Sequence, residues 1–376
     1  MKSGEAAPIP ITQLSSSDRP ASLQQLIKLE AWMKEWDDQY SDYRNKGKEQ
    51  RDANHSWRKD MAERLFERQE DSGNLKDILN IEAIEEYLDD INHLILIPHQ
   101  DLHRFPLHAL FNAWVVVSYL PSLQVGLNLK GRKPTQTNHL LSIENPTSDR
   151  GNPLEFARVE SQLISQTFQT VNLIQETDAT QKTVMSALTG NFNIFHFSGH
   201  GSHDSEKPQK SELLLAGTDG LTLREICQSD LSRYDLVSLS ACETGVTTHQ
   251  SITTEYVGLV SGFLYSGVAQ VISTLWVVES AVSALVMIEF YRRRSSQSDV
   301  MALAETIQWL RSLDREHFQA WHADRLQELS LDLPRERRLK IERTLDHALA
   351  RWGTIGSDIK NPYSWAPFIL SGGFFS

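Results

Sequence analysis

Two stretches of this chain end an apolar run on side chains that can do chemistry. In IFHFSGHGSHD, residues 194 to 204, the run gives way to Ser198-Gly199-His200-Gly201. Glycines on both sides of one histidine let the backbone turn sharply and let a substrate chain come close. In YDLVSLSACETG, residues 234 to 245, the run ends on Cys242, followed by Glu243, Thr244 and Gly245. If the two runs are neighbouring strands, the His200 imidazole can take the Cys242 thiol proton or hold the thiolate, which is the nucleophilic form. Backbone amides beside Gly201 and Cys242 can then point at a developing oxyanion. The chemistry expected is acyl transfer through a Cys-His dyad, with no metal or organic cofactor.

Nearby residues of the same types read differently. His196 falls inside the apolar run, on the opposite face from Phe195 and Phe197 by the period of two, and is expected to pack or hydrogen-bond. His196, His200 and His203 would align for a metal only on a helix, and the glycines and strand pattern argue against one there. Cys227 lies in LREICQSD, a helix-like stretch, and reads as an inert small hydrophobe.

The positioning elements begin at His93. HLILIP (93–98), WVVVSYL (114–120), HLLSIE (139–144), VNLI (171–174), FNIFHFS (192–198), YDLVSLS (234–240) and VAQVIST (268–274) read as strands, and WAPFIL as a last one with its proline at the start. LEFARVESQLISQTF (154–168) and TQKTVMSAL (180–188) between them carry a helical apolar face. Continuously apolar strands separated by helices predict a mostly parallel sheet covered on both faces, with its site at the strands' carboxyl ends. Residues 1–92 read as a leader followed by a helical region, from LQQLIKLEAWMKEW to ILNIEAIEEYLDDI, and residues 93–376 as the α/β domain. A further helical stretch after residue 297 is interrupted at Pro334.

Composition bounds the partners. The 376 residues carry 37 basic and 49 acidic side chains, a formal charge of -12, which disfavours nucleic acid because phosphate binding needs a basic face. Two cysteines exclude a disulfide framework and suit a reducing, cytoplasmic compartment. The segment YVGLVSGFLYSGVAQVISTLWVV, residues 256 to 278, is uncharged and long enough to span a membrane, yet Gly267 divides it into a helix-like half and a Val/Ile-rich half that suits a buried strand. No membrane span is expected.

SGHG, then the cysteine of SACETG 42 residues after its histidine, then GLVSGFLYSGVAQVISTLW and WAPFILSGG, together resemble a CHAT domain, a caspase-like peptidase domain. IPHQDLHRFPLHALF followed by VSYLPS resembles that domain's early strand-helix-strand unit. The resemblance implies a caspase-like three-layer α/β/α sandwich and thiol protease chemistry, with the catalytic histidine at His200 and the catalytic cysteine at Cys242. It implies a protein or peptide substrate, and a pore-forming gasdermin-like precursor is one candidate, since some bacterial members activate such proteins. Relatives often select a charged residue before the scissile bond, and Asp101, Glu279 and Glu243 are candidates to line such a pocket. Two other readings stay open. One is an interaction module with an idle dyad, the other a zymogen gated by an activating partner through the loops 203–212 and 246–254.

Overall fold

The structure, a computed structural model, describes residues 19–45, 55–67, 73–113, 115–135, 137–202, 204, 207–241, 252–329 and 332–373. Their backbone contacts separate two units, residues 1–92 with 109–115, and residues 93–108 with 116–376.

The first unit is helical. Helix α1 (Arg19–Asn45) is followed by the short helices α2 (Ser56–Lys59), α3 (Leu75–Ile78) and α4 (Ile81–Glu85), with a π-helical turn at Glu63–Glu67. Its core is aromatic. Trp36 meets the edge of Trp57 at 4.3 Å and stacks on Trp32 at 5.0 Å. Arg64, buried beneath α1, pairs with Glu35 at 3.1 Å. The helical pattern of ILNIEAIEEYLDDI is broken into pieces because Asn80 takes a left-handed conformation, φ 50°, a state that asparagine tolerates better than most residues.

The second unit is built on eight strands in the order β1-β2-β11-β10-β9-β5-β3-β4. These are β1 (His93–Leu96), β2 (Val116–Tyr119), β3 (His139–Glu144), β4 (Thr170–Gln175), β5 (Ile194–Gly199), β9 (Leu236–Ala241), β10 (Gln270–Thr274) and β11 (Phe368–Gly372). A second sheet of three short antiparallel strands contains β6 (Gly201–Ser202), β7 (Glu212–Leu214) and β8 (Gly220–Thr222). Every neighbour pair in the large sheet is parallel except β10 with β11. It is therefore two parallel blocks of opposite direction, β4 to β10 and β11 to β1, joined at one antiparallel seam.

Helices α5 (Leu123–Leu129), α6 (Ala157–Ser165), α7 (Gln181–Leu188), α8 (Leu223–Gln228), α9 (Ile252–Tyr265), α10 (Ser280–Arg293), α11 (Asp299–Ser312), α12 (Arg315–Glu328), α13 (Arg335–Ala350), α14 (Trp352–Ile359) and α15 (Pro362–Trp365) complete the unit. Local sequence sets their ends. Thr180 caps α7 through Thr183 N, and Thr222 with Glu225 forms a capping box on α8. Pro334 stands immediately before α13, where a missing N–H costs nothing.

Side chains alternate across β5 and define the layers. Phe195 packs toward Phe263 of α9, centroids 6.2 Å apart, while His196 faces Tyr291 of α10 at 5.5 Å. The sheet thus has helices on both faces, the expected α/β/α sandwich. The 256–278 stretch divides as its sequence suggests, with α9 ending at Tyr265, Gly267 at φ +97° and β10 from Gln270. Among the described residues no helix is long and apolar enough to cross a membrane.

Three sequence expectations shift. The helix between β1 and β2 appears as two 3-10 turns, Gln100–Arg104 and Leu107–Leu110, separated at Pro106, which supplies no amide hydrogen for a continuing α-helix. Trp365 and Ala366 close α15 rather than opening the last strand, and Pro367 stands just ahead of Phe368. Within the 203–212 loop Pro208–Lys210 form a 3-10 turn, and β7 begins at its last residue, Glu212.

Candidate active site

Strand order reverses beside β3: β4 follows it on one side and β5 returns on the other. In an open α/β sheet such a switch point opens a crevice at the strands' carboxyl ends. His200 stands there, the residue after β5, and only 5% of it is exposed.

Its ring is held by the loop that follows β3. His200 Nε2 lies 2.6 Å from the carbonyl oxygen of Asn152. A carbonyl only accepts, so the proton is on Nε2, and in the neutral ring Nδ1 carries the lone pair. Gly151 makes this approach feasible, because a Cβ there would sit 2.5 Å from His200 Cδ2. The loop is itself braced. Leu154 N donates to Asn145 Oδ1 at 2.9 Å. Arg150 pairs with Glu212 of β7 and donates to the carbonyls of Thr218 at 3.2 Å and Asp219 at 3.0 Å. Leu214 N donates to His200 O at 2.8 Å, which makes 200/214 a hydrogen-bonded pair. The next pair, Gly201 with Leu213, is then the non-hydrogen-bonded kind, whose amides point away from the partner strand.

The β5/β9 register runs from Ile194 opposite Leu236 to Gly199 opposite Ala241. His200 follows Gly199 in the chain, and Cys242 follows Ala241. Cys242, Glu243 and His203 themselves lie outside the described residues. Glu279 follows β10 at the same end of the sheet, exposed, at the residue before α10. Asp101 is not brought to His200. It is exposed in the turn after β1, 3.7 Å from Arg104, and β1 belongs to the block of opposite direction. Five strand spacings separate β1 from β5 in the sheet order, about 24 Å at about 4.8 Å each.

His196 is fully buried and engaged at both nitrogens. Nδ1 meets Ser238 Oγ at 2.7 Å, and Ser238 Oγ meets Tyr291 Oη at 2.6 Å. Nε2 lies 3.2 Å from Glu160 Oε1, an ion-pair separation without good hydrogen-bond alignment. Burial raises the Tyr291 phenol well above its usual range. Cys227, half-buried on α8, has its thiol pushed up by burial, the reverse of what a nucleophile needs.

Sequence reasoning had no signal for the Asn152 carbonyl, since every residue carries one. Gly151 in DRGNP was the only type-specific trace.

A mostly parallel α/β/α sandwich with a buried, tautomer-fixed histidine at its switch point defines the class. The CHAT domain profile matches residues 69–373, and the chain belongs to the CHAT domain family. The match begins ahead of β1, within the helical unit. No curated protein matches the chain in sequence. Among solved structures it is similar to the Saccharomyces cerevisiae separase-securin complex, at 14% identity and TM-score 0.40, over 82% of this chain and 18% of that one. It is also similar to the Arg specific cysteine proteinase gingipain R, at 12% identity and TM-score 0.43, over 79% of this chain and 67% of that one. A complex of Porphyromonas gingivalis RgpB pro- and mature domains matches at 11% identity and TM-score 0.44, over 79% of this chain and 68% of that one. The chain thus spans under a fifth of the separase chain's length.

Proposed function

We propose that this protein is a cysteine endopeptidase in which Cys242 is the nucleophile and His200 the general base and acid, acting on a protein or peptide substrate. The observation that carries the reading is the bond from His200 Nε2 to the Asn152 carbonyl. With Nε2 donating there, the neutral ring presents Nδ1 as the acceptor that a general base needs in each cycle. The β5/β9 register supports the pairing, since Gly199 and Ala241, which precede His200 and Cys242 in the chain, stand opposite each other on adjacent strands.

In the proposed cycle the thiol proton passes to His200 Nδ1 and the thiolate Sγ attacks the substrate carbonyl carbon. His200 then returns that proton to the departing amine. Water, deprotonated by His200, attacks the acyl-enzyme and releases the acid and the free thiol. The Asn152 carbonyl holds the ring in one orientation through each transfer, a role that costs no reorganisation because the contact already exists. The Gly201 amide, on the side of its strand away from β7, suits an oxyanion donor. Residues 93–376 are the proposed peptidase domain. Glu279, at the same sheet end as His200, is the favoured candidate to contact a basic side chain of the substrate; Asp101 is not.

The test is labelling by peptidyl acyloxymethyl ketones that differ in the residue next to the warhead, read by mass spectrometry on wild type and His200→Ala. Labelling at Cys242 and not Cys227, lost with His200, is expected. Absence of Cys242 labelling with every probe, in the folded protein, would overturn the constitutive dyad and favour a binding module or a gated zymogen.

A further inference from the structure

The carbonyl that fixes the His200 ring belongs to Asn152, an exposed residue between Gly151 and Pro153, neither of which has a side-chain donor or acceptor to anchor it. Its position is therefore set by its flanks. On one side Leu154 N donates to Asn145 Oδ1 at 2.9 Å. On the other, Arg150 spans three acceptors: Nη1 donates to Glu212 Oε1, and Nη2 to the carbonyls of Thr218 at 3.2 Å and Asp219 at 3.0 Å. The backbone just ahead of Arg150 is tied to the same turn, Asp149 N donating to Gly217 O at 2.9 Å and Gly217 N to Thr147 O at 2.8 Å.

All three acceptors of Arg150 lie on β7 or on the turn from β7 to β8. Strand β7 also holds the histidine's own main chain, through Leu214 N and His200 O at 2.8 Å. One strand thus grips the backbone of His200 and, through Arg150, the loop that carries the acceptor for its ring. An ion pair as exposed as this one, 36% at Arg150 and 17% at Glu212, adds little to stability. Arg150 Nε is moreover buried with no acceptor among the described residues, which gives up part of that little. What a planar guanidinium on three fixed acceptors supplies is orientation, because the fork fits them in few geometries.

We propose that Arg150 is a positioning residue for His200: by locking the β3–α6 loop to β7 and its turn, it holds the Asn152 carbonyl on Nε2 and so keeps Nδ1 free as the acceptor. Its consequence for rate rests on the peptidase reading above, whereas its effect on the ring does not require Cys242 to react.

The experiment is nitrogen NMR of the His200 ring, assigned by comparison with His200→Ala, together with the rate of Cys242 labelling by an acyloxymethyl ketone, on the full chain. Arg150→Met keeps the apolar stem and removes every donor. Gly220→Ala leaves Arg150 in place and displaces its partner, since a Cβ there would collide with Glu212 Oε2. Each variant should turn the Nε2–H form of wild type into a mixture and slow labelling about tenfold, less than a 1 Å shift of the ring itself would cost. Arg292→Met, which removes an ion pair of similar exposure between α10 and α12, is the control for plain loss of stability and should leave both readouts unchanged. An intact Nε2–H form in folded Arg150→Met overturns the proposal, whatever the labelling shows; should that variant fail to fold, the same result in Gly220→Ala overturns it. A mixture in Arg150→Met, in a protein whose wild type never labels at Cys242, supports Arg150 as the residue that sets the ring and counts against the peptidase reading alone.

Discussion

Replacing Gly151 by alanine tests the link between the β3–α6 loop and the histidine. The new methyl carbon would stand 2.5 Å from His200 Cδ2, whereas carbon atoms in contact need about 3.5 Å, so ring and loop must separate by about 1 Å. The ring, 5% exposed, has little free space to retreat into, and the next residue is Asn152, whose carbonyl holds Nε2. Losing that bond orphans a buried N–H at about 1–3 kcal/mol, and a misplacement of about 1 Å in a catalytic group costs about 100-fold in rate. The second-order rate of Cys242 labelling should therefore fall about 100-fold. Nitrogen NMR of the His200 ring should show the Nε2–H form in wild type and a mixture in the variant. Gly353→Ala, where an added Cβ meets nothing within 4 Å, serves as the control and should leave both readouts unchanged. Labelling within about threefold of wild type, with the Nε2–H form intact, would refute the reasoning.

Other consequences concern stability. Burial lowers the His108 pKa to about 4 from an ordinary 6.5, and the ring is neutral against the Tyr119 hydroxyl at 2.9 Å. The folded value lies below the unfolded one, so this stabilisation is full above pH 6.5 and is lost as pH falls toward 4. The loss is about 3 kcal/mol, and His108→Asn should flatten the stability profile measured by urea unfolding across that window. His196→Phe leaves Glu160 and Ser238 without their ring partner in the core, and should lower unfolding free energy by about 3 kcal/mol. Arg337 of α13 clamps the 1% exposed Glu144 with Nη1 at 3.0 Å and Nη2 at 2.5 Å, so Arg337→Met should cost about 3 kcal/mol. The double variant Arg337→Met, Glu144→Leu should recover most of it; a double variant no more stable than the single would contradict the buried-charge argument.

Apolar runs and their spacing made the large sheet readable. HLLSIE is β3 to the residue, and β5, β9 and β10 fall within two residues of their sequence limits, because buried strands need unbroken Val, Ile, Leu and Phe. Strand direction was not readable. Nothing in HLILIP says that β1 and β2 run against β5, and that reversal keeps Asp101 away from His200. Strands β6, β7 and β8, of two or three residues, are too short for any period to register, although they brace the candidate histidine. His200 was legible from its type and its glycine neighbours. The backbone oxygen that orients it has no signature in a sequence, and a cleft at the far end of the sheet, where β5, β9 and β10 start, was missed because its residues come from nine separate segments.

The antiparallel seam sets an order of assembly during synthesis. Strand β11 sits between β10 and β2, so β2, complete at Tyr119, has no sheet to join until residues 368–372 arrive, roughly 250 residues later. At about 5–20 residues per second that interval is roughly 12–50 s. Through it the β4-to-β10 block presents the raw edge of β10, and β1 with β2 remains a two-stranded piece too small to be stable alone. A nascent chain can therefore carry both strands of the candidate dyad while its sheet is still open along the line that β11 later closes.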